Sequence, residues 1–140
     1  MAGQSVLFVC THNSARSQMA EALLNHLYGD RYEAFSAGTE ATRVHPLAIE
    51  TMQRIGIDIS GHHSKTVDSF VGRKFDVVIT VCDDANESCP FFPTHGRRLH
   101  WSLEDPSAAF GTEAERLAVF EKIRDQIRDR LVNQFGADKR

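Results

Sequence analysis

Apolar and polar positions alternate along the chain in two rhythms. Residues 5–9, Ser5-Val6-Leu7-Phe8-Val9, form a continuous run rich in β-branched and aromatic side chains, the pattern of a strand buried on both faces. It stops at Cys10. From Ser17 to Tyr28 the apolar Ala20, Leu23, Leu24 and Leu27 recur at helical spacing, and Gly29 follows as a stop. Residues 32–37 read as a second strand. His45-Pro46 opens a helix carrying Ala48, Met52 and Ile55 on one face, with proline in its first turn and Gly56 at its end. Residues 75–81 read as a third strand and residues 98–101 as a fourth, after a stretch punctuated by Pro and Gly. Thr112 and Glu115 form a capping box for a last helix whose stripe is Phe120, Ile123, Ile127 and Leu131, and residues 136–140 read as a frayed tail. Strands alternating with helices predict an α/β fold, a parallel sheet covered on both faces, with ligands at the carboxyl ends of the strands. Cys10, Cys82 and Asp105 each follow a predicted strand end, so right-handed crossovers bring them to one edge of the sheet.

A length of 140 residues implies one domain, 1–140, since domains run to roughly 100–200 residues. Hydrophobic residues make up 41% and charged ones 25%, the balance of a soluble globular chain. Sixteen basic against nineteen acidic residues leave a net charge of −3, so no basic stripe is available to attract nucleic acid, and a small anion must be bound locally. The start, Met1-Ala2-Gly3-Gln4, has no basic leader region and carries Ala where myristoylation needs Gly, which makes a cytoplasmic protein without a membrane anchor the expectation. Three cysteines, odd in number and sparse, do not make a secreted disulfide framework; catalysis, metal binding and inert burial remain for them.

Between the first strand and the first helix lies Cys10-Thr11-His12-Asn13-Ser14-Ala15-Arg16-Ser17. A loop of this length at a helix N-terminus turns successive backbone N–H groups inward, making a concave nest for a tetrahedral oxyanion, and Arg16 adds a two-pronged fork. It is not the nucleotide P-loop, which needs flanking glycines and a lysine. Asn13 tolerates a left-handed backbone and so bends the cradle, while His12 is read as facing solvent. A free thiol of pKa about 8.5 is only ~3% ionised at neutral pH. The field of a helix N-terminus favours the anion by up to about 2 kcal/mol, and loop amides and Ser17 add hydrogen bonds, so Cys10 is expected to be a nucleophile. On position alone the alternative reading, a small apolar Cys10 and a surface Arg16, gives way because the string begins where a strand ends and finishes where a helix begins.

These residues resemble the low-molecular-weight tyrosine phosphatase superfamily, whose loop reads Cys-x5-Arg-Ser, and more closely its thioredoxin-coupled arsenate reductases. The resemblance covers nearly the whole chain through CTHNSARSQMAE, SAGTEA, FDVVITVCDDANESCP and LEDP. It implies four parallel strands with helices on both sides, no cofactor, and a relay of three cysteines. Cys10 attacks the arsenic of bound arsenate while Asp105, stiffened by Pro106, protonates the departing oxygen. Cys82 then attacks Cys10, arsenite leaves, and Cys89 moves the oxidised bond to a Cys82–Cys89 pair that thioredoxin reduces. If 83–88 is helical in the reduced form, the two Cα atoms stand about 10 Å apart at 1.5 Å per residue, so the segment must unwind to close that disulfide. The acidic residues there disfavour thiolates, and Lys65 or His62 are candidates to oppose them.

Six residues separate Cys82 from Cys89, against two to four in usual zinc ligand pairs, so a zinc site with His95 and His100 is not favoured. Some reductases of the family bind potassium beside the loop. Asn13, Glu21 and Ser36 match its oxygen-bearing positions, but Lys65 stands where a carboxylate is needed and its ammonium replaces the ion, so no metal is expected. Ser107 follows Asp105-Pro106 where the phosphatases carry an aromatic residue, which weighs against an aryl phosphate substrate. Reduction of arsenate engages all three cysteines. Hydrolysis of phosphomonoesters needs only Cys10, Arg16 and Asp105, and an anion-sensing module only the loop. The expectation is therefore a monomeric, thioredoxin-dependent arsenate reductase, with a low-molecular-weight phosphatase as the alternative.

Overall fold

The computed structural model describes residues 3–83 and 92–136. Strands β1 (Gln4–Cys10), β2 (Tyr32–Gly38), β3 (Val77–Cys82) and β4 (Arg97–Ser102) form one parallel sheet in the order β2-β1-β3-β4. The chain starts in the middle, passes outward to β2, and returns across β1 to β3. The strand order therefore reverses beside β1, and a crevice opens at the carboxyl ends of β1 and β3, where ligands of such sheets sit.

Helices α1 (Arg16–Tyr28), α2 (Pro46–Gln53) and α3 (Glu113–Phe135) share one face. Their Met19, Leu23, Leu24, Ala48, Met52, Phe120, Ile123, Ile127 and Leu131 pack with Val6, Phe8, Val77, Ile79 and Val81 in one buried cluster. The other face, with Leu7, Val9 and Val78, is closed by the 3-10 turn Val67–Phe70 and by Phe75 and Phe92. Phe70, Phe75 and Phe92 meet edge to face, Phe75 standing 5.7 Å from Phe70 and 5.8 Å from Phe92 between centroids. Both faces are thus covered as expected, the second by aromatic rings of which Phe70 stands on a 3-10 turn.

Two element boundaries differ from the sequence pattern. Phe75 and Asp76 precede β3 instead of opening it: the Asp76 carboxylate accepts the Ser5 N–H at 2.8 Å and fixes where the ladder with β1 begins, while Phe75 packs among aromatic rings. Ile55 lies beyond α2 and is exposed. The helix closes early because Gly56, at φ 84°, takes the left-handed position that lets Ile57 N–H reach back to Met52 O at 3.0 Å. At α3 the Thr112–Glu115 capping box is present in both directions.

Candidate active site

Cys10 ends β1 and Arg16 begins α1, so the loop between them lies at the switch in strand order and in front of a helix N-terminus. Asn13 bends it with φ 52°, the left-handed conformation expected of it. Its N–H donates to Cys10 Sγ at 3.2 Å, and its Nδ2 donates to Ser17 Oγ at 2.8 Å. Ser17 Oγ in turn lies 2.8 Å from Sγ. A hydroxyl has one proton and two lone pairs, so Ser17 can accept from Asn13 and still hydrogen-bond the sulfur. Cys10 is a buried free thiol at a helix N-terminus, with the Asn13 N–H and the Ser17 hydroxyl against its sulfur.

Around the sulfur, His12, Ser14, Ala15, Arg16, Asp105 and Ser107 line a small cup. Beside the cup, sharing His12 and Asp105 with it, lies a cavity of about 590 Å³ also bordered by Thr11, Asp83, Glu104 and Phe110. Arg16 is buried and spans the cup: its Nη1 donates to Leu103 O at 3.1 Å and its Nη2 lies 3.7 Å from Asp105 Oδ2. Asp105 opens the turn Pro106–Ala108, and its Oδ1 accepts both the Ser107 N–H at 3.0 Å and the Ser107 hydroxyl at 2.6 Å. Cys10, Arg16 and Asp105, far apart in sequence, therefore meet at one place. His12 departs in part from its reading: its ring is half exposed, but Nδ1 is turned inward, 3.6 Å from Glu40 Oε1.

Cys82 ends β3, the neighbour of β1, and is disulfide-bonded. Extending the Val9–Thr80 register by one step sets Cys10 beside Val81, and the strand spacings put the Cα atoms of Cys10 and Cys82 within ~6 Å. Alternation separates their side chains. Cys10 belongs to the face of Val6 and Phe8, whereas Cys82 has the parity of Val78 on the opposite face and is fully buried. Cys89, and the expected unwinding of 84–88, lie outside the described residues.

Gln18 and Gly38 were not singled out by the sequence pattern, and both hold the loop. Buried Gln18 donates from Nε2 to Asn13 Oδ1 at 2.9 Å and to His63 O at 2.9 Å, tying the loop to the chain before β3. A Cβ on Gly38 would stand 2.7 Å from Thr11 O and 2.8 Å from Asn13 N, so only glycine lets β2 approach the loop this closely. Ser107 had a legible signal, since Asp followed two residues on by an available N–H is an Asx turn. Gln18 had none; it reads as an ordinary helical polar residue.

Lys65 and His62 face Glu21, while the acidic residues of 84–88 against which they were weighed lie outside the described residues. Lys65 Nζ lies 3.8 Å and His62 Nδ1 4.0 Å from the Glu21 carboxylate, which also accepts the Ser36 hydroxyl at 2.5 Å. Asn13 Oδ1 accepts Lys65 N–H at 2.8 Å besides Gln18. The oxygens that would hold potassium are thus taken by an ammonium and by amide donors, and this donor set does not fit the ion. Among the described residues no group of three or more His, Cys, Asp or Glu is placed to hold a metal, and no helix is long and apolar enough to cross a membrane.

Comparison with known proteins places this geometry. The family described as low molecular weight phosphotyrosine protein phosphatase matches residues 5–138. The chain is 44% identical over 131 residues to an arsenate reductase of Bacillus subtilis (strain 168), covering 94% of each. A solved structure described as an arsenate reductase in the phosphate binding state superposes with a TM-score of 0.80 at 36% identity, covering 96% of this chain and 98% of the other. A thioredoxin-dependent arsenate reductase of Corynebacterium glutamicum superposes with a TM-score of 0.67 at 34% identity, covering 94% of this chain and 62% of that one.

Proposed function

Because the chain belongs to the low molecular weight phosphotyrosine protein phosphatase family, with arsenate reductases as close relatives over nearly its full length, we propose that it reduces arsenate to arsenite with electrons from thioredoxin. The observation that carries this reading is the pairing of a free Cys10 in an anion-binding loop with an oxidised Cys82 at the end of the adjacent strand. Ester hydrolysis uses the first and has no use for the second.

The reaction runs in four chemical steps once arsenate is bound. Arsenate enters the cup, held by the amides of Thr11, His12, Asn13, Ser14 and Ala15, the hydroxyl of Ser17 and the Arg16 fork. Cys10 Sγ forms a bond to arsenic as one As–O bond breaks, and Asp105 gives its proton to the departing oxygen, which leaves as water. The Cys82 thiolate attacks Cys10 Sγ: a disulfide forms, the S–As bond breaks, and its electron pair stays on arsenic, taking it from the +5 to the +3 state. Cys89 then attacks Cys82 and releases Cys10 as thiolate. The dithiol of thioredoxin reduces the Cys82–Cys89 bond. Since Cys82 is fully buried, that attack falls on the Cys89 sulfur. The whole chain, 1–140, acts as one domain, as a monomer in the cytoplasm, where thioredoxin is available.

NADPH consumption coupled through thioredoxin and its reductase on addition of arsenate tests the reading. The wild type turns over. Cys10→Ser loses both reduction and any hydrolysis of p-nitrophenyl phosphate. Cys82→Ser and Cys89→Ser lose repeated reduction and keep the hydrolysis. Turnover of Cys89→Ser with thioredoxin at the wild-type rate would overturn the relay, and turnover supported by glutathione and glutaredoxin alone would reassign the reductant.

A further inference from the structure

Asp105 needs to deliver a proton toward the cup, and a carboxyl group has two oxygens on which to carry it. The geometry distinguishes them. Oδ1 accepts the Ser107 N–H at 3.0 Å and the Ser107 hydroxyl at 2.6 Å, so both of its lone pairs are engaged. Oδ2 lies 3.7 Å from Arg16 Nη2, in the cup that Cys10 also lines. From this we infer that Ser107 is a positioning residue that fixes which oxygen of Asp105 is protonated: it occupies Oδ1, so the proton resides on Oδ2, facing the oxygen that leaves arsenic. The inference rests on the arsenate reductase reading and extends it to a residue which that reading leaves without a role.

The same contacts couple proton loading to anion binding. Arg16 lies against Asp105 Oδ2 and Leu103 O. A bound oxyanion competes for the guanidinium fork that otherwise lies against Oδ2, leaving that oxygen to face the anion. Ser107 keeps the carboxyl from rotating as this exchange occurs. When the As–O bond breaks, the proton passes from Oδ2 to the departing oxygen, water leaves, and the carboxylate that remains is held by Ser107 and Arg16.

The test is the single-turnover rate at which arsenate oxidises the fully reduced protein, without thioredoxin, across arsenate concentration. General acid catalysis contributes ~10²–10⁴-fold, and Ser107→Ala removes the hydroxyl but keeps the N–H donor, so its saturating rate is expected to fall about tenfold. Half-saturating arsenate stays within about twofold, because the anion contacts of the loop are intact. Ser107→Thr, which keeps the hydroxyl, recovers most of the loss. In an Asp105→Asn background Ser107→Ala produces no further loss, because the two act as a unit. A wild-type rate for Ser107→Ala, or a full additional tenfold loss in the Asp105→Asn background, overturns the inference.

The leaving group supplies a readout that a merely structural role would not move. Ser107→Ala should slow hydrolysis of phenyl phosphate, which needs a proton on its leaving oxygen, more than that of p-nitrophenyl phosphate, which needs it less. If the wild type hydrolyses both esters and does not reduce arsenate, the reductase reading fails while the Ser107 inference is still decided by this ratio; equal slowing of the two esters overturns it. A wild type that turns over neither arsenate nor ester overturns both.

Discussion

Gly38 is a residue whose importance lies in what it lacks. A methyl group there would stand 2.7 Å from Thr11 O and 2.8 Å from Asn13 N, both backbone atoms of the anion loop, and backbone yields less readily than a side-chain end. Gly38→Ala is therefore expected to keep the fold, read by far-UV circular dichroism, while weakening phosphate binding about tenfold or more by calorimetry, since small displacements of positioned groups are costly. Unchanged affinity would mean that the loop has room to shift. Asn13 is the complementary case. Its tolerance of φ 52° was legible from residue type, but its Nδ2 contact with Ser17 and the Gln18 amide closing on its carbonyl side were not, because they join groups whose spacing carries no pattern.

Helix α2 ties the loop to the rest of the molecule through its cap. His45 N–H donates to Ser14 O at 3.0 Å, His45 Nδ1 accepts the Leu47 N–H at 3.0 Å, and the ring packs on Phe120 with centroids 4.7 Å apart. Burial, and after it the guanidinium groups of Arg116 and Arg43, hold its pKa below the usual 6.5, against the opposing pull of Asp105. The unfolded chain thus takes up a proton that the folded one resists. Stability is highest above the unfolded value near 6.5, falls as the pH drops through it, and levels off once folded His45 is protonated. His45→Asn keeps a capping oxygen and does not titrate. It should be about 1 kcal/mol less stable at pH 7 through the lost ring contact and lose less than the wild type between pH 7 and 5, as read from urea midpoints. Parallel slopes would exclude His45 as the titrating group. The cap was legible as His45-Pro46; the early end of the helix was not, since a closing turn around Gly56 and one more helical turn both satisfy the apolar spacing.

At the scale of the molecule, the sheet sets a constraint on the chemistry. Neighbouring strands bring Cys10 and Cys82 to one edge, but in the oxidised state alternation aims their side chains at opposite faces. Cys82 must therefore leave its place in β3, where it pairs with Ser102 of β4, before it can attack Cys10. Hydrogen exchange should show the amides of Val81 and Cys82, and that of Leu103, which donates to Cys82 O at 3.0 Å, losing protection when the protein is reduced. Equal protection in both states would mean that the sulfurs meet without any change of strand register. This scale also decides the potassium question, because the position of Lys65 beside Glu21 depends on the bridge between Gly38 and Thr66, a pairing of distant segments.

The elements, their alternation and the loop from Cys10 to Ser17 were legible in the sequence, because periodicity, caps and a strand-turn-helix junction are local and each residue carries its own share of the signal. Only the tertiary structure decided which face each cysteine occupies, that Asp105 meets Arg16 and Ser107 at the cup, and that Gln18, Gly38 and Lys65 brace the loop. Those contacts link segments up to 89 positions apart, as with Arg16 and Asp105, and their energies depend on distance and burial, which exist only once the sheet has brought the segments together.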